Sequence, residues 1–347
     1  MLKANADGLL FGANGKMDPN GKLTRAHIAA IVTRAFGASA RADLSLCKDL
    51  PAGKWYTEPI EQAVAMGIMP PCDYMEPEAP ITRSETFVIL AAALGMADGS
   101  ASALEGFSDA AEIPELKKGK VAAMAAAGYV KGANGKINPN STITRAEFAA
   151  LFAQIFARIH RSGDFNDFVA GNLLVTANGA TLSYCNIEGN LIIGDGVDSL
   201  NLVGVSVSGD ILIRGGKDRL DMGGSTTAFG TVIVNNPNAV ANIVNSSSIA
   251  MNKLECRTPC NTAGNFTNVH TTADINITSG MLTRIDCDSE NLKIHSSGIA
   301  YYVYANCNTL TLTGSGYNSV ILAPGVGGIT LNGSPIIATI VGSSLGI

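Results

Sequence analysis

Between residues 23 and 161, apolar side chains recur at helical spacing. Ile28, Ile31, Val32 and Phe36 fall on one face, as do Phe148, Leu151, Phe152 and Ile155. Steps of three and four residues keep one side of a 3.6-residue helix turned inward, so these positions predict core-facing helices. Three helices open on a shared motif: Leu23-Thr24-Arg25-Ala26-His27, Ile81-Thr82-Arg83-Ser84-Glu85 and Ile143-Thr144-Arg145-Ala146-Glu147. Each motif follows a proline turn, Asp18-Pro19-Asn20-Gly21, Glu76-Pro77 or Asn138-Pro139-Asn140. The interval is about sixty residues, the scale of a long helical repeat.

Thr is a good N-cap, and Glu three residues later completes a capping box at Glu85 and Glu147. The first copy has His27 there, so it keeps the Thr cap and loses the reciprocal carboxylate. Arg25, Arg83 and Arg145 then fall at the first helical position, against the helix dipole. Three repetitions predict a task other than helix stability. Arg beside free helix N–H groups makes an anion site. The plainer alternative is an ion pair with a nearby carboxylate such as Glu85 or Glu147.

After Gly163 the period changes from helical to alternating. Short apolar runs recur: Asn190-Leu191-Ile192-Ile193, Asp210-Ile211-Leu212-Ile213, Thr231-Val232-Ile233-Val234, Asp274-Ile275-Asn276-Ile277, Asn291-Leu292-Lys293-Ile294, Thr309-Leu310-Thr311-Leu312 and Gly328-Ile329-Thr330-Leu331. The first steps are about twenty residues, later ones shorten slightly, and Lys253-Leu254 fills the gap in the series. Short strands at one coil-length period predict a β-solenoid, in which each coil buries its apolar face only by stacking. The expected ladder is Leu191, Ile211, Val232, Ile275, Leu292, Leu310 and Ile329. Parallel crossovers favour a right-handed parallel β-helix. A β-sandwich is the competing architecture, but it would space its hairpin loops irregularly.

Charge and composition narrow the function. Lys and Arg number 24 against 29 Asp and Glu, charged residues are 15% of the chain, and Gly numbers 38. That suits a tightly wound architecture more than disorder. Acid and base balance before residue 165, so the acidic excess lies in the second half. Neither half carries the basic stripe of a nucleic-acid binder. The best apolar run, Phe87 to Ala97, is about half a membrane span. The seven cysteines form no C-x-x-C motif. Cys256 and Cys260 are close enough to bridge in a loop, and Cys287 and Cys307 could stack on successive coils, while small buried hydrophobes are the default reading.

Candidate chemistry is sparse. A glycosidase needs two carboxylates a few ångströms apart; Asp195 with Asp198, or Asp286 with Asp288 and Glu290, are the candidates, with solvated turn residues as the ordinary alternative. The four histidines have no ligand-like spacing, and no phosphate loop or nucleophile elbow is present. No metal or cofactor is expected. Tyr301, Tyr302 and Tyr304 form an aromatic cluster, read as end or core packing before sugar stacking.

The first half resembles the S-layer homology domain, a bacterial surface module usually found as three tandem copies. The resemblance rests on the three Thr-Arg motifs, on Trp55-Tyr56 with Pro59-Ile60, Ala63 and Gly67-Ile68-Met69, on Phe107-Ser108-Asp109, and on Gly128-Tyr129-Val130 with Gly132. It implies an all-α three-repeat helical bundle over residues 1–163 (1–36 incomplete, 49–96 and 107–161). An all-β right-handed parallel β-helix would follow over 164–347. It also implies grooves that hold a pyruvylated secondary cell-wall polysaccharide, with Arg25, Arg83 and Arg145 meeting its acid groups and Asp49, Trp55 and Asp109 adding hydrogen bonds and stacking. The turn Pro70-Pro71-Cys72-Asp73-Tyr74 departs from the Gly-Ala-Asn-Gly of the other copies. Ile113-Pro114-Glu115-Leu116 stands where the second copy has Trp55. The expected protein is non-enzymatic, extracellular and anchored at the bacterial cell surface, its solenoid a spacer, adhesive element or self-associating lattice element. The alternatives are a wall-anchored polysaccharide lyase or hydrolase and a protein-binding adhesin. Residues 1–7 lack the apolar core of a signal peptide, so the chain reads as starting within its first repeat.

Overall fold

The computed structural model describes residues 17–323, 328–332 and 339–341. The first copy's predicted turn at residues 8–15 lies outside them. The chain divides into two compact units between Ile159 and His160.

Five α-helices occur among the described residues of the first unit: α1 Arg25–Phe36, α2 Thr57–Ala65, α3 Arg83–Ala93, α4 Glu115–Ala126 and α5 Arg145–Ile155. Thr24, Thr82 and Thr144 each cap a helix with the side-chain oxygen. Glu85 and Glu147 close the box on the second and third. In the first, His27 does the same work, its Nδ1 accepting from the Thr24 N–H at 3.2 Å. An imidazole replaces the missing carboxylate only while Nδ1 is unprotonated. Burial, and then the charge of Arg145, lower the His27 pKa and favour that state. α1 stops at Gly37, whose φ of 69° suits glycine.

The three helix starts interlock in a ring. Leu23, Ile81 and Ile143 are buried. The Leu23 N–H bonds the Ile143 carbonyl, Ile81 bonds Leu23, and Ile143 bonds Ile81. The same cycle satisfies the helix N-termini: Arg25 and Ala26 donate to Ala79 and Pro77, Arg83 and Ser84 to Ser141 and Pro139, and Arg145 and Ala146 to Gly21 and Pro19. The expected free helix N–H groups are therefore occupied, and the anion site built on them is corrected. The proline turns of neighbouring copies supply the carbonyls that helix ends otherwise lack.

The second unit is a β-solenoid of about nine turns, its strands paired in parallel. One face stacks Leu173, Leu191, Ile211, Val232, Leu254, Val269, Ile285, Val303 and Val320. A second stacks Ala241, Cys260, Ile275, Ile294 and Leu312. The single ladder expected from the runs is thus corrected to separate ladders. Leu254 does continue the series, but Ile275 lies on the second face, and Leu292, Leu310 and Ile329 form a column of their own. From Leu191 onward, steps along the first face are 20, 21, 22, 15, 16, 18 and 17 residues. A change of turn length moves the same run motif to another face.

The early corners explain the recurring Gly-Asn and Gly-Asp pairs. The Asn172 Oδ1 accepts from the Asn190 N–H, the Asn190 Oδ1 from Asp210, and the Asp210 Oδ1 from Thr231, at 2.7–2.8 Å. Ahead of each acceptor the glycines pack backbone to backbone, Gly209 N–H to Gly189 O and Gly230 N–H to Gly209 O. A Cβ at Gly209 would stand 2.9 Å from the Gly189 carbonyl oxygen and closer still to Asn190. Only glycine lets the coils approach this far while the amide ladder satisfies the turn.

Candidate functional site

The three arginines share one construction. The Arg25 Nε donates to the Met75 carbonyl at 2.9 Å, Arg83 to Ile137 at 2.8 Å and Arg145 to Met17 at 3.0 Å. Each accepting residue precedes a non-glycine residue in the left-handed region, namely Glu76 (φ 49°), Asn138 (φ 54°) and Asp18 (φ 42°). The guanidinium thus braces a strained turn of the neighbouring copy. Two arginines also pair across copies. Arg25 meets Glu85 at 3.2 Å and Arg83 meets Glu147 at 3.6 Å. Both carboxylates already close capping boxes, so one side chain serves its own helix and the preceding copy's arginine. The side chains of Arg25 and Arg83 remain about a fifth exposed, at 23% and 19%.

Asp49 and Asp109 hold the same turns from the other side. The Asp49 carboxylate accepts from the Met75 and Glu76 N–H groups at 2.8 and 2.7 Å. Asp109 accepts from Ile137 and Asn138 at 2.9 and 2.7 Å. The Asp109 side chain does not cap the short 3-10 turn that follows it. Each aspartate fixes the residue whose carbonyl an arginine reads, so aspartate, turn and arginine form one chain of contacts. Burial opposes ionisation of both aspartates, but the backbone donors outweigh it and hold both carboxyls below their usual range. A folded value below the unfolded one means that this support is complete above roughly pH 4 and is lost as pH falls through the folded value. We expect the helical melting midpoint to drop on acidification from about pH 5 to 3. Asp49→Asn and Asp109→Asn should lower it at neutral pH and flatten the acid dependence. An unchanged acid dependence in both would place the titration elsewhere.

A pocket of about 210 Å³ lies between the second and third motifs. Arg83 and Phe87 of α3, Glu147 and Gln154 of α5, and the segment Tyr129–Gly132 line it. The segment leads into a tight hairpin. Ala133 and Lys136 bridge, and Asn134 and Gly135 both have positive φ, as an Asn-Gly turn of type I′ requires. Lys131 is exposed and lines the same pocket as Arg83, giving it a second cation. Sequence reasoning passed over it; its signal was its place within Gly128-Tyr129-Val130-Lys131-Gly132. Trp55 precedes α2, is 54% exposed, and lies 5.2 Å from the His27 ring. In the third copy Ile113 is buried and Leu116 fully exposed, so no aromatic platform forms there.

Three of the solenoid's five acidic candidates are engaged by neighbouring side chains. Both oxygens of Asp195 accept from Arg214, at 2.8 and 3.1 Å. Asp286 is gripped by Arg284, which also lies over the Tyr304 ring at 4.1 Å. Asp288 accepts from Asn306. Tyr301 and Tyr302 are exposed and do not pack into the core. Cys287 aligns with Ala305 and Cys307 with Ser289, so these two cysteines are not stacked on each other. Among the described residues no helix is long and apolar enough to cross a membrane.

The chain thus joins a helical unit with arginine-braced turns to a parallel β-solenoid. The family model of the S-layer homology domain matches residues 106–149, which contain Asp109, Lys131 and Arg145. The chain is 35% identical over 153 residues to the surface-layer 125 kDa protein of Lysinibacillus sphaericus, covering 42% of this chain and 13% of that protein. It is 30% identical over 152 residues to an amylopullulanase of Thermoanaerobacterium thermosulfurigenes, covering 42% of this chain and 8% of the enzyme. The chain therefore spans a small part of either relative's length.

Proposed function

We propose that this chain is a non-enzymatic part of a bacterial cell-surface protein, held to the wall through secondary cell-wall polysaccharide. In this reading residues 1–163 are a three-repeat helical anchor and residues 164–347 a right-handed solenoid that serves as spacer or lattice element. The observation that carries it is the pocket lined by Arg83, Lys131 and Glu147, within and beside a segment that matches the S-layer homology domain. Two cations against one carboxylate in the lining suit an acidic sugar such as a pyruvylated residue. Arg25 and Arg145 occupy the equivalent places in the other copies. Trp55 offers a stacking face, and Asp49 and Asp109 act through the turns they hold. The ring of Leu23, Ile81 and Ile143 supports the three-repeat reading.

Arg83→Lys, Arg145→Lys and Lys131→Ala test the reading. Lys keeps the charge of Arg but loses the planar fork. Each Arg variant should weaken binding to an acidic wall-glycan fragment about tenfold or more, which is about 1.4 kcal/mol. Folding stability should fall only by the worth of one hydrogen bond, about 1 kcal/mol. Lys131→Ala should weaken binding and leave the midpoint within about 1 °C, since exposed substitutions cost little. Unchanged affinity in all three would remove the pocket from consideration. Release of reducing sugar from wall polysaccharides would instead support an enzyme.

A further inference from the structure

We propose that Cys256 and Cys260 form an intrachain cystine that pins one corner of the solenoid. Their sulfurs lie 2.9 Å apart, and the two residues are 0% and 1% exposed. That is closer than two unbonded sulfur atoms normally sit, and within an ångström of the bonded length of about 2.05 Å. The two residues end one strand, Met251–Cys256, and begin the next, Cys260–Gly264.

The turn between them is fixed without the bond. The Arg257 N–H donates to Val234 O at 3.0 Å, the Cys260 N–H to Asp274 O at 3.2 Å, and the Asn236 N–H to the Thr258 hydroxyl at 2.9 Å. Both neighbouring coils thus hold the two cysteine backbones in place. At the same two corner positions those coils carry Val234 with Ala241, and Thr271 with Ile275. The coil between them places sulfur at both. The hydrogen bond to Cys260, and then burial, push the Cys256 thiol well up, so exchange does not start inside the folded core. The bond forms while the coil is still open. One thiolate attacks a low-molecular-weight disulfide such as oxidised glutathione and expels one thiolate. The second cysteine thiolate then attacks the mixed disulfide and expels the other. The cysteines give up two protons and two electrons, and the oxidant becomes two thiols.

The test refolds the full chain in oxidised and reduced glutathione, then alkylates it in denaturant without reductant. Trypsin cuts after Lys253, Arg257 and Arg284, so the bond joins the peptides 254–257 and 258–284. We expect that linked pair as the main product, unalkylated at both cysteines and separated by reductant. Chain refolded and kept in reductant should also show a solenoid melting midpoint about 3–6 °C lower than the oxidised chain, as the loss of a short cross-linked loop does. Alkylation of both cysteines, a glutathione adduct at either, a link from either to another cysteine, or a midpoint indifferent to reductant would overturn the proposal.

Discussion

Ile213→Asp should open the solenoid while leaving the helical unit folded. Ile213 is 1% exposed and stacks between Ile193 and Val234 on adjacent coils. The substitution removes an apolar side chain from a close-packed ladder and puts a carboxyl group there with no partner. Lost packing and desolvation together cost on the order of 5 kcal/mol. In a stacked fold each coil contributes to its neighbours' stability, so the damage spreads along the axis. Limited proteolysis should cut the variant within residues 171–322 at protease levels that leave the wild type whole. Helical ellipticity of the first unit should persist. Unaltered resistance would mean that Ile213 faces water and that the ladder is misassigned.

Asp195→Ala should be nearly as costly, through charge. Arg214 and Asp195 are 1% and 5% exposed, and their contact is bidentate. Removing the carboxylate leaves a guanidinium in the core, a loss of about 3–5 kcal/mol. The pair itself is worth far less than its breaking suggests, because both charges lost their hydration when they were buried. The double variant Asp195→Leu/Arg214→Met should therefore recover to within roughly 1–2 kcal/mol of the wild type in denaturant melts. If the single variant melts like the wild type, the pair is solvated. If the double variant is no better than the single, the arginine holds the coil through its other contacts.

Local chemistry was legible in the sequence, and long-range partners were not. Thr24, Thr82 and Thr144 announced helix starts because capping is settled within four residues. The same motifs suggested free N–H groups, because nothing nearby reveals that Ala79, Ser141 and Gly21 supply the carbonyls. Arginine at the first helical position, electrostatically awkward alone, makes sense once Met75, Ile137 and Met17 are seen to accept from it. The solenoid was legible as a class because stacking demands a repeated apolar run. Its register was not, since steps between 15 and 22 residues shift a run between faces. Asp195 reads as a catalytic candidate only in isolation from Arg214, which pairs with it from one coil later. An arginine directly after the apolar run Ile211-Leu212-Ile213 was the available signal. Lys131 carries no signal of its own, because a lysine between Val130 and Gly132 reads as turn material.

The most direct measurement is co-sedimentation of the full chain with purified cell-wall sacculi, before and after the wall glycan is chemically stripped. Wall anchoring through an acidic glycan predicts that the chain pellets with intact sacculi and stays in the supernatant with stripped ones. Equal pelleting with both, or with neither, would contradict it.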